Sequence, residues 1–345
     1  MRFLYIHVLC TEFILAMILI RKFMKQLLPK RYIVILWDFV LLSFILPFFF
    51  VPKPKSVPQQ LNVIGSTMIS INNNITELML HYLVPLRIIC LIGTILILLY
   101  FSCSYLISVR TFKKASDATD MYILNWLSDH KLKRKIRIRE SNTISSPLTY
   151  GILRPVILLP VHEKKRNHLS LILQHEYEHI LHFDVVKKLI MLLIVSLYWF
   201  NPFLWIMCFM YNNDIEYACD EAVIKTKGVN YKKEYSLLLV HSATCMEEHD
   251  LLNSYLSKNS MEERILLIMD FKKRTLPCKI LSLVTLIGLL TIMITTQRIN
   301  ASASHNDVAD QTNYSTAEET TLQDLNTEKI NIFDIVYTPD SINEQ

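Results

Sequence analysis

Glycine and charged side chains are both scarce in this sequence of 345 residues. Its 5 glycines leave almost no material for glycine-rich phosphate-binding loops or for collagen-like repeats. Charged residues make up 19% of the chain and hydrophobic residues 52%, a balance that excludes an ordinary soluble globular protein. The 7 cysteines include no CxxC pair and suggest no disulfide framework. The composition therefore predicts a membrane protein.

The charge is divided unevenly along the chain. Residues 298–345 hold 9 acidic and 2 basic residues, a net −7, so the overall +5 leaves +12 for the preceding residues. An acidic tail on a basic, apolar body predicts that the two parts lie in different compartments.

Four stretches are apolar and long enough to cross the roughly 30 Å hydrocarbon core as helices. They are residues 3–20, 32–51, 83–107 and 278–296. A cleavable signal peptide does not fit the first stretch, because Glu12 interrupts it and its basic cluster follows the apolar run. Glu12 and Asp38 lie within the first two stretches, where we expect paired or protonated carboxyls that fix helix packing, although a signalling contact is the alternative.

Lysine and arginine near the ends of the spans predict the orientation. The connector RKFMKQLLPKR is basic and expected to be cytoplasmic, whereas loop 52–82 has few bases and is expected outside. Bases also flank residues 108–277, which we therefore place in the cytoplasm: Arg110, Lys113, Lys114, Lys272, Lys273 and Arg274. The tail, residues 297–345, is then external, acidic and expected to be disordered.

Within residues 108–277 the pattern mixes helices and short strands. Residues 117–130 fit an amphipathic helix, and KIRIRE after it alternates like a strand. SPLTYGILRPVILLP, residues 146–160, predicts two short strands at a sheet edge, because proline and glycine interrupt it. Another helix is expected to start near Asn167 or Ser170.

That helix carries His175-Glu176-Tyr177-Glu178-His179, an HExxH motif. Residues four apart lie on one helix face, so His175 and His179 can bind one zinc ion while Glu176 addresses a water there. A catalytic zinc usually has three protein ligands. Glu216 could be the third and Asp220 could hydrogen-bond the far nitrogen of a zinc-bound histidine, although such an acidic pair is more often a solvated helix face.

The chain resembles the BlaR/MecR family of membrane-integral gluzincin metallopeptidases. The resemblance rests on HEYEH followed 37 residues later by the Glu of ExxCDEA, on SPLTYGILRPVILLP, on WFNPF and on ERILLIM before the last span, and it covers residues 1–296. It implies His175, His179 and Glu216 as zinc ligands, Glu176 as general base and acid, and Asp220 as a support for a ligand. In this family the cytoplasmic protease inactivates a winged-helix repressor after an external signal.

The C-terminus departs from that family. Members that sense β-lactams carry a penicillin-binding domain there, whereas this sequence has about 48 residues after the last span and no SxxK motif in them. We therefore do not expect direct β-lactam sensing.

Residues 189–211 are apolar enough for a fifth span, but a single crossing would separate Glu216 from His175. Because ligands of one ion must converge, we expect a helical hairpin broken at Asn201-Pro202, which enters the bilayer or packs on the protease.

An oxyanion or proton donor beside the metal is also expected, and His182, His241 and Tyr235 are candidates, each more often structural than catalytic. Asp184 would lie opposite His175 on a continuing helix, so we expect it to cap or orient that helix. The strands of residues 146–160 could bind extended substrate by strand addition.

The predicted fold is an α-helical membrane protein of four spans with an inserted α+β gluzincin-type zinc protease domain. The predicted function is zinc endopeptidase activity on a repressor in a bacterial cell membrane, with self-cleavage near Lys272, Lys273 and Arg274. Alternatives are a quality-control or prenyl-protein HExxH protease, which the third-ligand spacing disfavours, and a non-catalytic scaffold, which the intact motif disfavours. The expected partners are the repressor and the lipid bilayer, with a homodimer left open and no nucleic acid bound directly.

Overall fold

The computed structural model describes residues 2–25, 27–50, 66–161, 166–244 and 251–272, together with Val284 and Gly288. The chain divides into two units, one of Met1–Phe49 with Ser56–Leu286 and one of Phe50–Lys55 with Ile287–Gln345. Nearly all described residues belong to the first unit, to which the following description applies.

The N-terminal part is built from three helices, α1 (Arg2–Met24), α2 (Lys30–Phe50) and α3 (Ser66–Phe112). Within the described residues, Pro85–Phe112 is the one helical segment long and apolar enough to cross a membrane, with a mean hydropathy of 2.3 and none of it buried. It overlaps the predicted third span. The first two spans stay predictions that coincide with α1 and α2, and residues 278–296 lie outside the described part except for two positions.

Polar contacts join α1 and α2 to helices farther along the chain. Tyr211 donates a hydrogen bond of 2.5 Å to Asp38, and Lys187 lies 3.1 Å from the same carboxylate. Arg21 and the Trp37 indole N–H both bind Asp214, at 2.7 and 2.8 Å. Asp38 is therefore a paired carboxyl between packed helices, whereas Glu12 is exposed.

A four-stranded sheet follows α3. Its strands are β1 (Ser116–Asp117), β2 (Arg137–Ser141), β3 (Leu148–Tyr150) and β4 (Val156–Pro160), in the order β1-β2-β4-β3. β2 and β4 run parallel, and β1 and β3 are antiparallel edge strands. Gly151, whose φ of +88° suits glycine, turns the chain after β3. The predicted pair of strands within residues 146–160 is present.

One helix is shorter than the sequence predicted. The expected helix at residues 117–130 begins only at Met121, as α4 (Met121–Asp129), because Asp117 belongs to β1 and Asp120 caps the helix. The Asp120 carboxylate accepts a hydrogen bond from the Tyr122 backbone N–H, which satisfies one of the donors that a helix start leaves free.

Among the described residues, five further helices pack around the sheet. They are α5 (Arg166–Leu181), α6 (Asp184–Leu197), α7 (Pro202–Lys227), α8 (Lys232–Thr244) and α9 (Leu251–Met269), with a 3-10 turn at Val229–Tyr231. Buried side chains from β4, α5, α7 and α8 form the core between them, including Ile157, Leu171, Val223 and Leu238. The core fixes α5 against α7 and thereby sets the distance between the histidines and the carboxylates.

α6 and α7 form a helical hairpin whose turn lies at Tyr198–Asn201. The Asn201 side chain accepts from the Phe203 N–H at 3.0 Å, and Pro202 occupies the first turn, where its missing N–H costs nothing. The turn packs on the N-terminal helices, because Asn201 donates to the Thr11 hydroxyl and Trp199 donates to the Cys90 carbonyl. Insertion of this hairpin into the bilayer stays a prediction.

Candidate metal centre

Two helices bring the ligand atoms of three side chains together. α5 carries His175 and His179 on one face, and α7 crosses it and presents Glu216. The Nε2 atoms of the histidines are 3.2 Å apart, and the Glu216 oxygens lie 3.4 Å from Nε2 of His175 and 3.7 Å from Nε2 of His179. One ligand atom of each therefore lies within 4.8 Å of the others.

These separations fit a zinc ion. Donor atoms about 2.0–2.1 Å from a tetrahedral ion lie roughly 3.3–3.4 Å from one another, and two imidazoles with one carboxylate are a donor set of catalytic zinc. The separation of the two histidine nitrogens and that of Nε2 of His175 from Oε2 of Glu216 lie within about 0.2 Å of that value. Nε2 of His179 lies nearer the other oxygen, Oε1, at a separation that is longer by about 0.3 Å. His175, His179 and Glu216 therefore form a donor set that fits a zinc ion.

His175 is oriented from its far side by two groups. In the tautomer with the proton on Nδ1, that N–H donates to the Tyr235 hydroxyl at 2.8 Å, and the hydroxyl donates to Asp220 at 2.7 Å. Asp220 itself lies 3.3 Å from Nδ1 of His175. This arrangement leaves the Nε2 lone pair directed at the other ligands.

His179 has its own carboxylate partner. Asp184 is 1% exposed and accepts at 3.0 Å from Nδ1 of His179, because the chain turns at Phe183, whose φ is +58°, and starts α6 beside the preceding helix. The Cys219 thiol lies 3.4 Å from the same nitrogen and donates to Asp184. His179, Asp184 and Cys219 also lie close enough together to hold a metal ion. Their hydrogen bonds to one another instead favour a role in which Asp184 and Cys219 orient the His179 ring.

Glu176 points towards the same space and is held by the edge strand β3. The Thr149 hydroxyl donates to Oε2 of Glu176 at 2.7 Å, which leaves the other carboxylate oxygen for a reactant. Glu176 is buried yet lines the cavity beside the three ligand groups. A carboxylate fixed at this position can accept a proton from a water and return it to a leaving group.

Two basic side chains complete the site. Arg264 of α9 forms two hydrogen bonds of 2.8 Å with Asp220, and its Nη1 lies 3.6 Å from Glu216. Lys188 of α6 donates to Glu216 at 3.2 Å. Burial opposes ionisation of Asp220, but Arg264 outweighs it and lowers the pKa of Asp220 to about 2. Burial likewise opposes ionisation of Glu216, whose pKa Lys188 and His179 hold well below its usual range.

The site opens into a cavity of about 380 Å³ whose lining includes residues 146–149 at β3. His182 and His241 are absent from its lining, and His182 pairs with Glu178 instead. The positions of His182 and His241 therefore do not support the prediction that one of them donates a hydrogen bond to the oxyanion. Tyr235 lines the cavity, and its hydroxyl contacts Nδ1 of His175 and Asp220. Its role as an oxyanion or proton donor stays a prediction.

The predicted self-cleavage linker lies mostly beyond the described residues. Lys272 is exposed just after α9, and Lys273 and Arg274 fall outside the described part.

Four contributors to the site could not be identified from the sequence. Thr149 and Arg264 lie in SPLTYG and ERILLIM, which the sequence marked only as segments similar to a family. Lys188 follows the motif by nine residues and Arg31, which contacts Asp184, precedes it by more than a hundred, so only the packing of distant helices reveals both.

The chain is similar to one family model and to several known proteins. A family model described as BlaR1 peptidase M56 matches residues 1–268. The regulatory protein BlaR1 of Bacillus licheniformis is 24% identical over 151 residues, 41% of this chain and 25% of that protein. The methicillin resistance mecR1 protein of Staphylococcus aureus strain Mu50 is 27% identical over 120 residues, 34% of this chain and 20% of that protein. The matched segments thus span a quarter or less of these relatives.

Proposed function

Because the chain belongs to the BlaR1 peptidase M56 family, we propose that it is a membrane-integral zinc endopeptidase that cleaves a cytoplasmic winged-helix repressor in response to an external signal. The observation that carries the proposal is the convergence of His175, His179 and Glu216 at the separations of a tetrahedral zinc site, with Glu176 beside them. The names of the two relatives place those proteins in regulation and in methicillin resistance, and we extend a role in the antibiotic response to this chain.

The chemistry divides between the ion and the side chains. A bound zinc ion would supply a Lewis acid for the scissile carbonyl and for the attacking water. Glu176 accepts the proton of that water and delivers it to the amine that leaves, while Thr149 keeps the carboxylate in place. Asp184 holds His179 directly, and Asp220 holds His175 through the Tyr235 hydroxyl, in the tautomer that binds metal.

The edge strand β3 gives the site a means of holding an extended polypeptide. Residues 146–149 line the cavity, and β3 is at the end of the sheet, next to β4 alone. A substrate segment added antiparallel or parallel to β3 would pass close to Glu176, whose carboxylate accepts a hydrogen bond from Thr149 of β3. The substrate is therefore expected to offer an extended segment at the cleaved bond.

Membrane attachment is proposed through α3 and three further spans. The exposed, apolar segment Pro85–Phe112 supports one crossing, and the basic residues after it support a cytoplasmic protease. Self-cleavage near residues 272–274 is part of the proposal, since Lys272 is exposed at the end of α9.

The test is metal-dependent cleavage of a repressor. Membranes containing the chain are mixed with a small winged-helix repressor encoded beside its gene, before chelation, after chelation and after zinc is restored. We expect a new repressor fragment that disappears on chelation and returns with zinc. A fragment that persists after complete removal of metal, or no fragment under any condition, contradicts the proposal.

A further inference from the structure

Each metal-binding histidine is connected through a buried carboxylate to an arginine of another segment. On one side, Nδ1 of His179 binds Asp184, and Nη2 of Arg31 lies 3.5 Å from the second oxygen of that carboxylate. For the other histidine, Nδ1 of His175 lies 3.3 Å from Asp220, to which Arg264 donates two hydrogen bonds of 2.8 Å. The two arrangements have the same order of groups: histidine, aspartate, arginine.

The arginines come from elements that contribute no ligand. Arg31 is at the start of α2, the helix that coincides with the predicted second span. Arg264 is in α9, the last described helix before the predicted fourth span. The ligands themselves belong to α5 and α7. The two arginines therefore connect the metal centre to α2, which coincides with the predicted second span, and to α9, which precedes the predicted fourth span.

We propose that Arg31 and Arg264 are positioning residues, which make the zinc affinity of the site depend on the docking of α2 and α9 against the protease core. The inference rests on the proposed function, because it requires zinc at His175, His179 and Glu216. It adds to that function a route by which movement of a membrane-linked helix changes the metal site.

Burial explains why the arginines matter to the aspartates. Asp184 is 1% exposed and Asp220 is 2% exposed, and a buried carboxylate needs a partner charge. Without its arginine, each aspartate would lose the contact that holds its carboxylate in place and would move towards water. Asp184 would then no longer hold Nδ1 of His179, and Asp220 would no longer hold the Tyr235 hydroxyl against Nδ1 of His175. The histidine ring would then be less firmly oriented towards the ion.

The two connections differ in strength. Arg264 binds its aspartate through two short bonds, whereas Arg31 has one contact of 3.5 Å, and Nη1 of Arg31 is buried with no hydrogen-bond partner among the described residues. Lys187 also lies 3.9 Å from Asp184 and would replace part of the lost charge. Loss of Arg264 should therefore weaken zinc binding more than loss of Arg31.

The direction in which zinc affinity changes in Arg264→Met distinguishes a positioning role from a purely electrostatic one. Removal of a cation close to a dication should favour metal binding by Coulomb's law. Arg264 is near Glu216, so its charge alone predicts tighter binding in Arg264→Met. Positioning predicts the opposite, weaker binding, so the sign of the effect decides between the two.

The experiment measures zinc affinity by competition with a chromophoric chelator, using the full chain in detergent. All variants carry Glu176→Gln, so that neither self-cleavage nor activity enters the readout. The matched control is Arg21→Met, which breaks a partly buried ion pair of 2.7 Å with Asp214. Asp214 is 1% exposed and also binds Trp37, but none of the three metal ligands. Thermal unfolding of the metal-free proteins reports the loss of stability in each variant.

We expect a loss of zinc affinity of about tenfold for Arg264→Met, in the range known for groups that support metal ligands, and a smaller loss for Arg31→Met. Arg264→Lys keeps the charge but cannot form both hydrogen bonds to Asp220, so its zinc affinity should lie between those of the wild type and Arg264→Met. If the methionine variant does not fold, the lysine variant provides the test. Arg21→Met should lower the unfolding temperature without changing the affinity.

Equal affinities in all variants, tighter binding in Arg264→Met, or an equal loss in Arg21→Met overturns the inference. Failure of the parent Glu176→Gln protein to bind zinc would instead contradict the proposed function, so the two failures are distinguishable.

Discussion

The Nδ1 atom of His179 lies 3.0 Å from a carboxylate oxygen of Asp184, although only five residues separate them. A continuous helix would have directed Asp184 away from this face, and the left-handed turn at Phe183 brings it back. The metal centre therefore depends on a chain reversal immediately after the HExxH motif.

Asp184→Asn should weaken zinc binding roughly tenfold, because the amide oxygen can accept the histidine N–H but carries no charge to polarise the ring. Chelator competition measures the affinity. Asp38→Asn is the control, since Asp38 also pairs with Lys187 but contacts no histidine among the described residues. Equal losses in both variants would show that the effect comes from general destabilisation.

Lys188→Met should strengthen zinc binding by up to about fivefold, because the ammonium group competes with the ion for Glu216 and a half-exposed ion pair contributes up to about 1 kcal/mol. The same titration checks this change. Lys187→Met serves for comparison, as Lys187 pairs with Asp38 and Asp184 instead. Weaker binding in Lys188→Met would mean that Lys188 supports the ligand.

Thr149→Val should reduce the rate of peptide cleavage about fivefold at unchanged zinc content, since one hydrogen bond to Glu176 contributes about 1 kcal/mol to its position. Cleavage rates and zinc content are measured on the same preparations. Thr143→Val removes a comparable hydroxyl contact, to Ser141, away from the cavity and should leave the rate unchanged. A rate equal to wild type in Thr149→Val would exclude Thr149 as a support for Glu176.

Gly93→Ala should destabilise the packing of α3 against the α6–α7 hairpin by about 1–3 kcal/mol. A Cβ atom at this position would approach the Trp199 ring to 2.5 Å, closer than any real contact allows. Thermal unfolding in detergent measures the loss. Replacement of the indole ring by a smaller side chain, Trp199→Leu in the Gly93→Ala background, should recover part of the lost stability. No recovery would contradict the close contact between Gly93 and Trp199.

The local patterns predicted most elements of the site. HExxH spacing placed two histidines on one face of α5. Pro202, which disfavours helical geometry before it and lacks a backbone donor, located the break between α6 and α7. Interrupted β runs predicted β3 and β4. Each of these features depends on neighbouring residues, which is why the sequence was sufficient.

Contacts between distant segments could not be predicted in the same way. Arg31 and Asp184 are 153 residues apart, and Arg264 and Asp220 are 44 apart, so their pairing depends on how α2 and α9 pack on the core. Asp120 illustrates the same limit locally, because its capping of α4 prevailed over an amphipathic pattern that began earlier. The sequence also identified Tyr235 as a candidate without revealing that its hydroxyl faces Asp220.

The most direct measurement of the central claim compares Glu176→Gln with Glu178→Gln. Both residues belong to α5 and are 6% exposed, but Glu178 contacts Gln174 and His182 and does not line the cavity. Each variant is prepared in membranes and assayed for zinc content and for cleavage of the repressor. We predict that both bind zinc, that Glu178→Gln cleaves like wild type, and that Glu176→Gln yields at most about a hundredth of the fragment. Equal fragment from Glu176→Gln and wild type would contradict the assignment of Glu176 as the catalytic residue.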